Sequence, residues 1–158
     1  MRSLAVTLVA FAAMEPVTAA THRFVMHGIG ERLHRSHHRR TLGRWEANDA
    51  YPVLFAGLVC VGLWVGFNEP GWSGLVPAGV GVTAYGAAYA VVHDVYIHRR
   101  LRWFGDRRLP ALDRLADAHA LHHRYGGAPH GMLVPIVPGA LRQRAASRPQ
   151  RIAAAPRP

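Results

Sequence analysis

Three long apolar stretches constrain the fold of this chain more than any other feature. They cover residues 4–25, 51–67 and 75–92, and only the first holds charged residues, Glu15 and Arg23. At a rise of about 1.5 Å per residue, helices of these lengths reach roughly 25 to 33 Å, close to the thickness of a bilayer's hydrocarbon core. The stretches therefore predict an all-α integral membrane protein with three transmembrane helices, and residues 132–137 are a candidate for a fourth hydrophobic segment.

The distribution of charge predicts the orientation of these helices. The 158-residue chain has a formal net charge of +10, carried by 19 arginines without any lysine. Five arginines lie in residues 28–50 and seven in residues 99–124, whereas the loop at 68–74 has no basic residue. By the positive-inside rule, the two arginine-rich segments and the C-terminus face the cytoplasm. For a bacterial protein this means insertion into the inner membrane.

Each end of the chain has its own interpretation. The N-terminal run could instead be a signal peptide cleaved after Ala20, although export would carry an arginine-rich loop to the opposite side. Residues 141–158 contain five arginines, three prolines and no acid. They are typical of a disordered basic tail that lies against anionic lipid, with residues 1–140 as the membrane-embedded domain. The tail lacks the aromatic residues that stack on bases, which argues against nucleic-acid binding.

Ten of the eleven histidines follow a doubled pattern. The motif H-x4-H, followed by H-x2-H-H, occurs once at and after the first predicted helix and once at and after the third. The first round contains His22, His27, His34, His37 and His38, and the second contains His93, His98, His119, His122 and His123. Each pair lies at the cytoplasmic end of a membrane helix and each triplet in a cytoplasmic segment. The four groups can therefore converge below one membrane surface.

The spacing of the histidines indicates metal binding. Residues i, i+3 and i+4 of an α-helix share one face, so the imidazoles of a triplet can point to one centre. The second triplet lies on a helix predicted to begin beside Pro110. His22 and His27, at i and i+5, are about 140° apart, so sharing an ion requires a bulge or a loosened helix end, and a second ion is the alternative. Ten imidazoles exceed the roughly four ligands of one zinc ion, which favours two ions, but imidazole alone does not identify the metal.

The acidic residues near the pattern each have two interpretations. Asp94, Asp117, and Glu46 or Asp49 could orient the metal-binding histidines, or they could be surface and capping residues. Glu15 lies two turns before His22 in the first apolar stretch. It predicts either a buried polar contact above the metal site or a protonated, purely structural glutamate.

Several uncharged residues are similarly open. His130 lies outside the doubled pattern and is either a spare ligand or a surface residue. Tyr85 and Tyr89 share the face of His93 and could line a substrate channel or simply pack. The small residues of the third helix, and Gly62-xxx-Gly66 in the second, predict close helix packing, with a substrate groove as the alternative. The single cysteine, Cys60, excludes an intramolecular disulfide and a thiolate metal site.

The boxes THRFVMHG, HRSHH, HDVYIHRR and AHALHH, with EANDAYP entering the second helix, closely resemble those of bacterial β-carotene hydroxylases. These enzymes belong to the fatty acid hydroxylase and sterol desaturase superfamily, and the resemblance covers about residues 10–130. It implies a membrane non-haem di-iron monooxygenase, with O2 as co-substrate and the ten patterned histidines as ligands of two iron ions. It further implies hydroxylation of β-carotene at C3 of its β-ionone rings, through β-cryptoxanthin to zeaxanthin. Ferredoxin and its reductase are the implied electron donors.

Two alternatives to this interpretation stay open. The strip GGAPHGMLVPIVPG after the last box departs from the aromatic-containing strip usual in the family, so a related hydroxylase or desaturase acting on a fatty acyl, sterol or other isoprenoid lipid is the enzymatic alternative. A membrane metal-handling protein is the other, although histidines gathered at one end favour a fixed cluster over a transport pathway. The basic face could steer an acidic ferredoxin or anchor the chain to anionic lipid. Its members are Arg99, Arg100, Arg102, Arg107 and Arg108.

Overall fold

The computed structural model describes residues 1–39 and 45–147, and all regular structure within these ranges is helical. The α-helices are α1 (Arg2–Ala20), α2 (Glu31–His34), α3 (Ala50–Asn68), α4 (Leu75–Ala90), α5 (Pro110–Tyr125) and α6 (Gly139–Ala146). Two π-helical segments, Thr21–Ile29 and Val91–Ile97, and two 3₁₀ turns, Ala47–Asp49 and Pro70–Trp72, lie between them.

In the part of the chain that the structure describes, three continuous helical units are long and apolar enough to cross a membrane, which confirms the predicted transmembrane helices. They span Arg2–Ile29, Ala47–Asn68 and Leu75–Ile97, with 28, 22 and 23 residues. At about 1.5 Å per residue they reach roughly 42, 33 and 35 Å. The first and third are longer than the apolar stretches alone because a π-helical segment continues each of them to its histidines.

Helix α4 packs against both α1 and α3 through its glycines. A Cβ atom at Gly81 would collide with the backbone of α1 at Thr7, and one at Gly79 would lie 2.6 Å from the Leu63 side chain of α3. These glycines therefore allow the close packing that the sequence predicts. Gly62 and Gly86 instead have open space beside them.

The burial pattern is reversed relative to that of a water-soluble domain. Apolar side chains along the helices face outward, with Leu8 60%, Leu58 62% and Trp64 63% exposed. The buried polar residues are almost all histidines, which lie at one end of the helices. This arrangement fits a protein whose outer surface contacts lipid and whose polar interior is a site.

The candidate fourth membrane segment is not a helix. Residues 132–137 have no regular secondary structure. Pro135 and Pro138 lack backbone N–H groups, and six residues are too few to cross a bilayer. The candidate fourth membrane segment is therefore not a spanning helix at this position.

The first residues of the predicted disordered tail are helical. They belong to α6, because leucine, alanine, arginine and glutamine are strong helix formers, and Arg144 lies 4.7 Å over the ring of Tyr125. Residues 148–158 lie outside the described residues. The division of the chain at residue 140 stays a prediction.

Candidate metal centre

His22 and His27 lie on the π-helical segment that follows α1, and His93 lies on the one that follows α4, with His98 as the next residue after its end. In a π-helix the backbone N–H of residue i+5 bonds to the carbonyl of residue i, and the His98 N–H donates to the His93 carbonyl at 2.9 Å. Residues five apart therefore come together: the ring centroids of His22 and His27 are 5.0 Å apart, and those of His93 and His98 are 4.5 Å apart. The structure thus contains the bulge that the H-x4-H spacing requires.

The side-chain nitrogens of nine patterned histidines form two clusters. Within each cluster one nitrogen from every histidine lies within 4.8 Å of all the others. Cluster A consists of His22, His27, His34, His38 and His122, and cluster B consists of His37, His93, His98 and His119. Both are groups that could each hold a metal ion.

Each triplet is divided between the two clusters. His34 and His38 belong to cluster A and His37 to cluster B, whereas His119 belongs to cluster B and His122 to cluster A. The spacing allows the imidazoles of one triplet to share a centre, but the structure does not use it in this way. Successive residues of a helical turn point about 100° apart, so neighbours such as His37 and His38 face different sides. The middle histidine of each triplet, His37 or His122, belongs to the cluster that contains the H-x4-H pair of the other round.

Oxygen atoms hold five of the clustered imidazoles at Nδ1, with N···O distances from 2.5 to 3.0 Å. The acceptors are Glu46 for His37, Asp94 for His93, Asn48 for His34, and the backbone carbonyls of His130 and Gly127 for His22 and His122. These oxygens only accept hydrogen bonds, so the proton of each neutral ring lies on Nδ1. Each Nε2 therefore presents a lone pair to its cluster.

The Nε2 atoms approach one another in a way that fits a bound cation. Nε2 of His37 lies 3.0 Å from Nε2 of His93 in cluster B, and Nε2 of His22 lies 3.1 Å from that of His34 in cluster A. With both protons on Nδ1, neither pair can form a hydrogen bond between its Nε2 atoms, and the lone pairs repel. Two nitrogens about 2.0–2.1 Å from one ion and at right angles would be roughly 2.8–3.0 Å apart. The donor set and its spacing therefore fit metal ions.

Burial keeps these imidazoles in the neutral form that binds metal. It is the largest cause that lowers the pKa of His122 and His98 to about 3 and that of His123 to about 2. The charges of neighbouring histidines lower these pKa values further. The pKa values of His37 and His119 are lowered by the same two effects. At neutral pH the rings are unprotonated at one nitrogen and available as ligands.

Two histidines lie beside the clusters. The ring centroid of His123 is 4.4 Å from that of His119 and 4.8 Å from that of His37, and its Nε2 is buried without a hydrogen-bond partner among the described residues. His130 is half-buried, with its ring 5.4 Å from that of His22 and 5.6 Å from that of His122. His130 therefore packs against cluster A, outside its set of converging nitrogens.

A network of charged side chains supports the imidazoles of cluster B. Glu46 accepts from His37 and also pairs with Arg100 at 3.1 Å, and Arg100 in turn donates to Asp49 at 2.7 Å. Asp49 also accepts a hydrogen bond from the Glu46 backbone N–H at 2.9 Å. Of the acidic candidates, Glu46 and Asp94 contact histidines directly, Asp49 acts through Arg100 and Glu46, and Asp117 is exposed.

Sequence reasoning missed the polar groups that orient cluster A. Asn48 is only 8% exposed and bonds to His34, but a lone asparagine has neither charge nor metal-ligand spacing to single it out. Its position within EANDAYP, where a buried polar residue precedes a membrane helix, was the available signal. The carbonyls of Gly127 and His130 are backbone atoms, so their role has no signature in the residue types.

The chain matches the family model described as fatty acid hydroxylase over residues 7–137. The β-carotene hydroxylase of Pseudescherichia vulneris is 38% identical over an alignment of 164 residues, which covers 97% of this chain and 90% of that protein. The β-carotene hydroxylase of Pantoea ananas is 40% identical, covering 72% of this chain and 64% of that protein. The chloroplastic β-carotene 3-hydroxylase of Haematococcus lacustris is 41% identical, covering 77% of this chain and 39% of that longer protein. No solved structure shows a significant match.

Proposed function

Because the chain belongs to the fatty acid hydroxylase family, we propose that it is a membrane di-iron monooxygenase that hydroxylates C3 of the β-ionone rings of β-carotene. Two convergent histidine clusters at the ends of membrane-length helices carry this proposal. The names of its relatives, β-carotene hydroxylase and β-carotene 3-hydroxylase, support the substrate and the position. Each hydroxylation consumes one O2, two electrons and two protons and releases one water, giving β-cryptoxanthin and then zeaxanthin.

Clusters A and B would each hold one iron ion. When bound, iron supplies the redox chemistry that activates O2 for cleavage of an unactivated C–H bond, which redox-inactive zinc does not provide. The residues of the chain supply neutral imidazoles, and Glu46 and Asp94 balance part of the cationic charge while fixing two rings of cluster B. We assign this activity to residues 1–140, which include the whole family match.

His123 would complete the ligand set of cluster B. In the first round, the third histidine of the triplet, His38, shares a cluster with its own pair. His123 is the equivalent residue of the second round, and its ring centroid lies 5.2 Å from that of His98. Its Nε2 is buried, has no hydrogen-bond partner within residues 1–39 and 45–147, and could serve as a ligand atom for the ion in cluster B. Five imidazoles would then serve each ion.

The position of the clusters suits a substrate dissolved in the bilayer. A hydrocarbon polyene offers no polar group for recognition, so apolar surface and shape must bring its ring to the irons. Phe24, between the two histidines of the first pair, is 65% exposed, and the ring of Tyr89 lies 4.9 Å from that of His93. We propose that the β-ionone ring of the substrate enters from the lipid beside Phe24 and Tyr89.

We propose that the clusters face the cytoplasm at the inner membrane of a bacterium, as the arginine distribution predicts. Ferredoxin and its reductase would deliver the electrons there. Arg102 and Arg107 are exposed and could steer an acidic ferredoxin, whereas Arg100 pairs with Glu46 and Asp49, and Arg108 pairs with Asp113. Anchoring to anionic lipid is the alternative role of this face.

Expression in a bacterial host that accumulates β-carotene and contains a competent electron donor tests the proposal. We expect chromatography of the pigments to give β-cryptoxanthin and zeaxanthin. His122→Ala should abolish both products, and Cys60→Ala, which changes an exposed side chain of α3, should leave them. Elemental analysis of the purified protein should give about two irons per chain.

The same experiment separates the alternatives. Iron-loaded, well-expressed protein that leaves β-carotene unchanged would contradict the carotenoid assignment and direct the search to fatty acyl, sterol or other isoprenoid substrates. Protein that binds zinc or nickel but retains no iron would favour a metal-handling role.

A further inference from the structure

The segment that follows α5 turns back to cluster A and supplies two of its oxygen contacts. We name residues 126–134 the return segment. The Gly127 carbonyl accepts from Nδ1 of His122 at 2.5 Å, and the His130 carbonyl accepts from Nδ1 of His22 at 3.0 Å. These bonds orient two imidazoles of the cluster so that each Nε2 points toward the other ligands. The geometry of cluster A therefore depends on where this non-helical backbone lies.

A single carboxylate of α1 holds the end of the return segment. Glu15 Oε2 accepts from the Leu133 backbone N–H at 3.1 Å, and Glu15 Oε1 accepts from the Val134 backbone N–H at 2.8 Å. The Tyr85 hydroxyl of α4 donates to Oε2 at 2.6 Å. One side chain thus connects α1, α4 and the return segment, across 118 positions of sequence in the case of Leu133.

The surroundings of Glu15 are shaped for this contact. A carboxylate within a membrane helix is costly unless polar groups satisfy it, and three donors converge on this one. A Cβ atom at Gly131 would lie only 2.6 Å from Oε1, so a larger residue there would displace the carboxylate from its present position. Met132, the next residue, is 3% exposed and packs the segment into the protein.

We propose that Glu15 is a positioning residue for cluster A. By holding the amides of Leu133 and Val134, it fixes the preceding His130 carbonyl, which keeps the proton of His22 on Nδ1 and its Nε2 directed at the cluster. Cluster B receives its oxygen contacts from Glu46 and Asp94, so the effect is confined to cluster A. The metal-binding part of this inference rests on the proposed function; the attachment of the return segment does not.

Hydrogen exchange of the metal-free protein in lipid nanodiscs tests the attachment. In Glu15→Gln the new side chain has nearly the same size as the old one. Its amide nitrogen would face a backbone N–H, however, and it cannot accept a hydrogen bond from it. We expect exchange in a peptide covering residues 131–134 to become about tenfold faster or more. Glu69→Gln, which neutralises an exposed acid in the loop before α4, should not change it. Unchanged exchange in Glu15→Gln would overturn the proposal.

Metal retention tests the positioning. In a His37→Ala background, where cluster B is weakened, Glu15→Gln should release the ion that remains in cluster A. In a His38→Ala background, where cluster A is weakened, it should leave the ion of cluster B in place. Glu15→Asp, which keeps the carboxylate, should partly restore retention. If exchange accelerates but the ion of cluster A stays bound in the His37→Ala background, Glu15 only anchors the return segment and the positioning role is overturned.

Two further outcomes keep the inferences distinct. A wild-type protein that binds no metal contradicts the proposed function, while the exchange measurement still decides whether Glu15 holds the return segment. If Glu15→Gln does not fold, Gly131→Ala replaces it, because its Cβ displaces the carboxylate from the segment without removing it. We expect faster exchange of the same peptide in Gly131→Ala, and normal exchange would contradict the inference.

Discussion

The division of the first triplet predicts that two adjacent histidines serve different metal ions. His37 lies 3.0 Å from His93 through their Nε2 atoms, and His38 lies 3.0 Å from His34 in the same way. We therefore expect the double variant His37→Ala/His38→Ala to lose both ions. His37→Ala/His119→Ala should lose only the ion of cluster B, although its two changes are much farther apart in sequence.

The size of the effect follows from the number of ligands in each cluster. A structural zinc site with four ligands binds with roughly 10 to 16 kcal/mol, or about 2.5 to 4 kcal/mol for each ligand. Because about 1.4 kcal/mol corresponds to a tenfold change, loss of one imidazole should weaken its cluster roughly 10²- to 10³-fold. The other cluster should keep its affinity, since the two sets share no histidine.

Competition with a chelator of graded concentration measures both affinities in the purified protein. The wild type should release its two ions over a similar range. His37→Ala/His119→Ala should release one ion early and the second at the wild-type concentration, whereas His37→Ala/His38→Ala should release both early. If the adjacent double variant retains one ion with wild-type affinity, the two residues serve one centre and our assignment of the clusters is refuted.

Three other predictions concern the supports of the site and the packing of the helices. Glu46→Gln should weaken metal binding in cluster B about 10- to 100-fold in chelator competition, with exposed Asp117→Asn unchanged. The pKa of His122 falls from 6.5 in the unfolded chain to about 3 in the folded protein. The stability that depends on its neutral form is therefore complete above about pH 6.5 and is lost as pH falls toward 3. Thermal unfolding of metal-free protein at pH 7.5 and 5.5 should give a lower Tm at pH 5.5, and an equal Tm would contradict this. Gly81→Val should destabilise the contact of α1 with α4 by about 1–3 kcal/mol, measured as a lower Tm, whereas Gly86→Val, with open space beside it, should change the Tm little.

Much of the fold could be predicted from the sequence because membrane insertion leaves few choices. Apolar stretches of membrane length must be helical to satisfy their backbone groups, and all three predicted spans are found. The H-x4-H spacing is incompatible with one ion on a regular α-helix, and the π-helical segments are the distortion it requires. These features are local, so residue type and spacing indicated them, although the spacing of the pairs also allowed a loosened helix end or a second ion.

Other features depend on contacts that no local pattern contains. The spacing within a triplet allows one centre, but the positions of the neighbouring helices divide His37 from His38. Two of the three donors to Glu15 are backbone amides far along the chain, in a segment whose apolar residues resemble a membrane span. The residue types therefore indicated a polar contact at Glu15 without identifying what it would touch.

The division of each triplet between the two clusters affects how the two halves of the chain are held together. Cluster A takes four imidazoles from the first round and His122 from α5, and cluster B takes His37 from the first round and the others from the second. Each ion would therefore bind ligands from both halves of the chain. Because ligands from separate segments are brought together only in the folded protein, metal binding is coupled to the docking of α5 and of the segment after α1. The doubled pattern thus forms two sites, and each site joins the two halves of the chain. If each round formed a site from its own histidines alone, the sites would not join the halves.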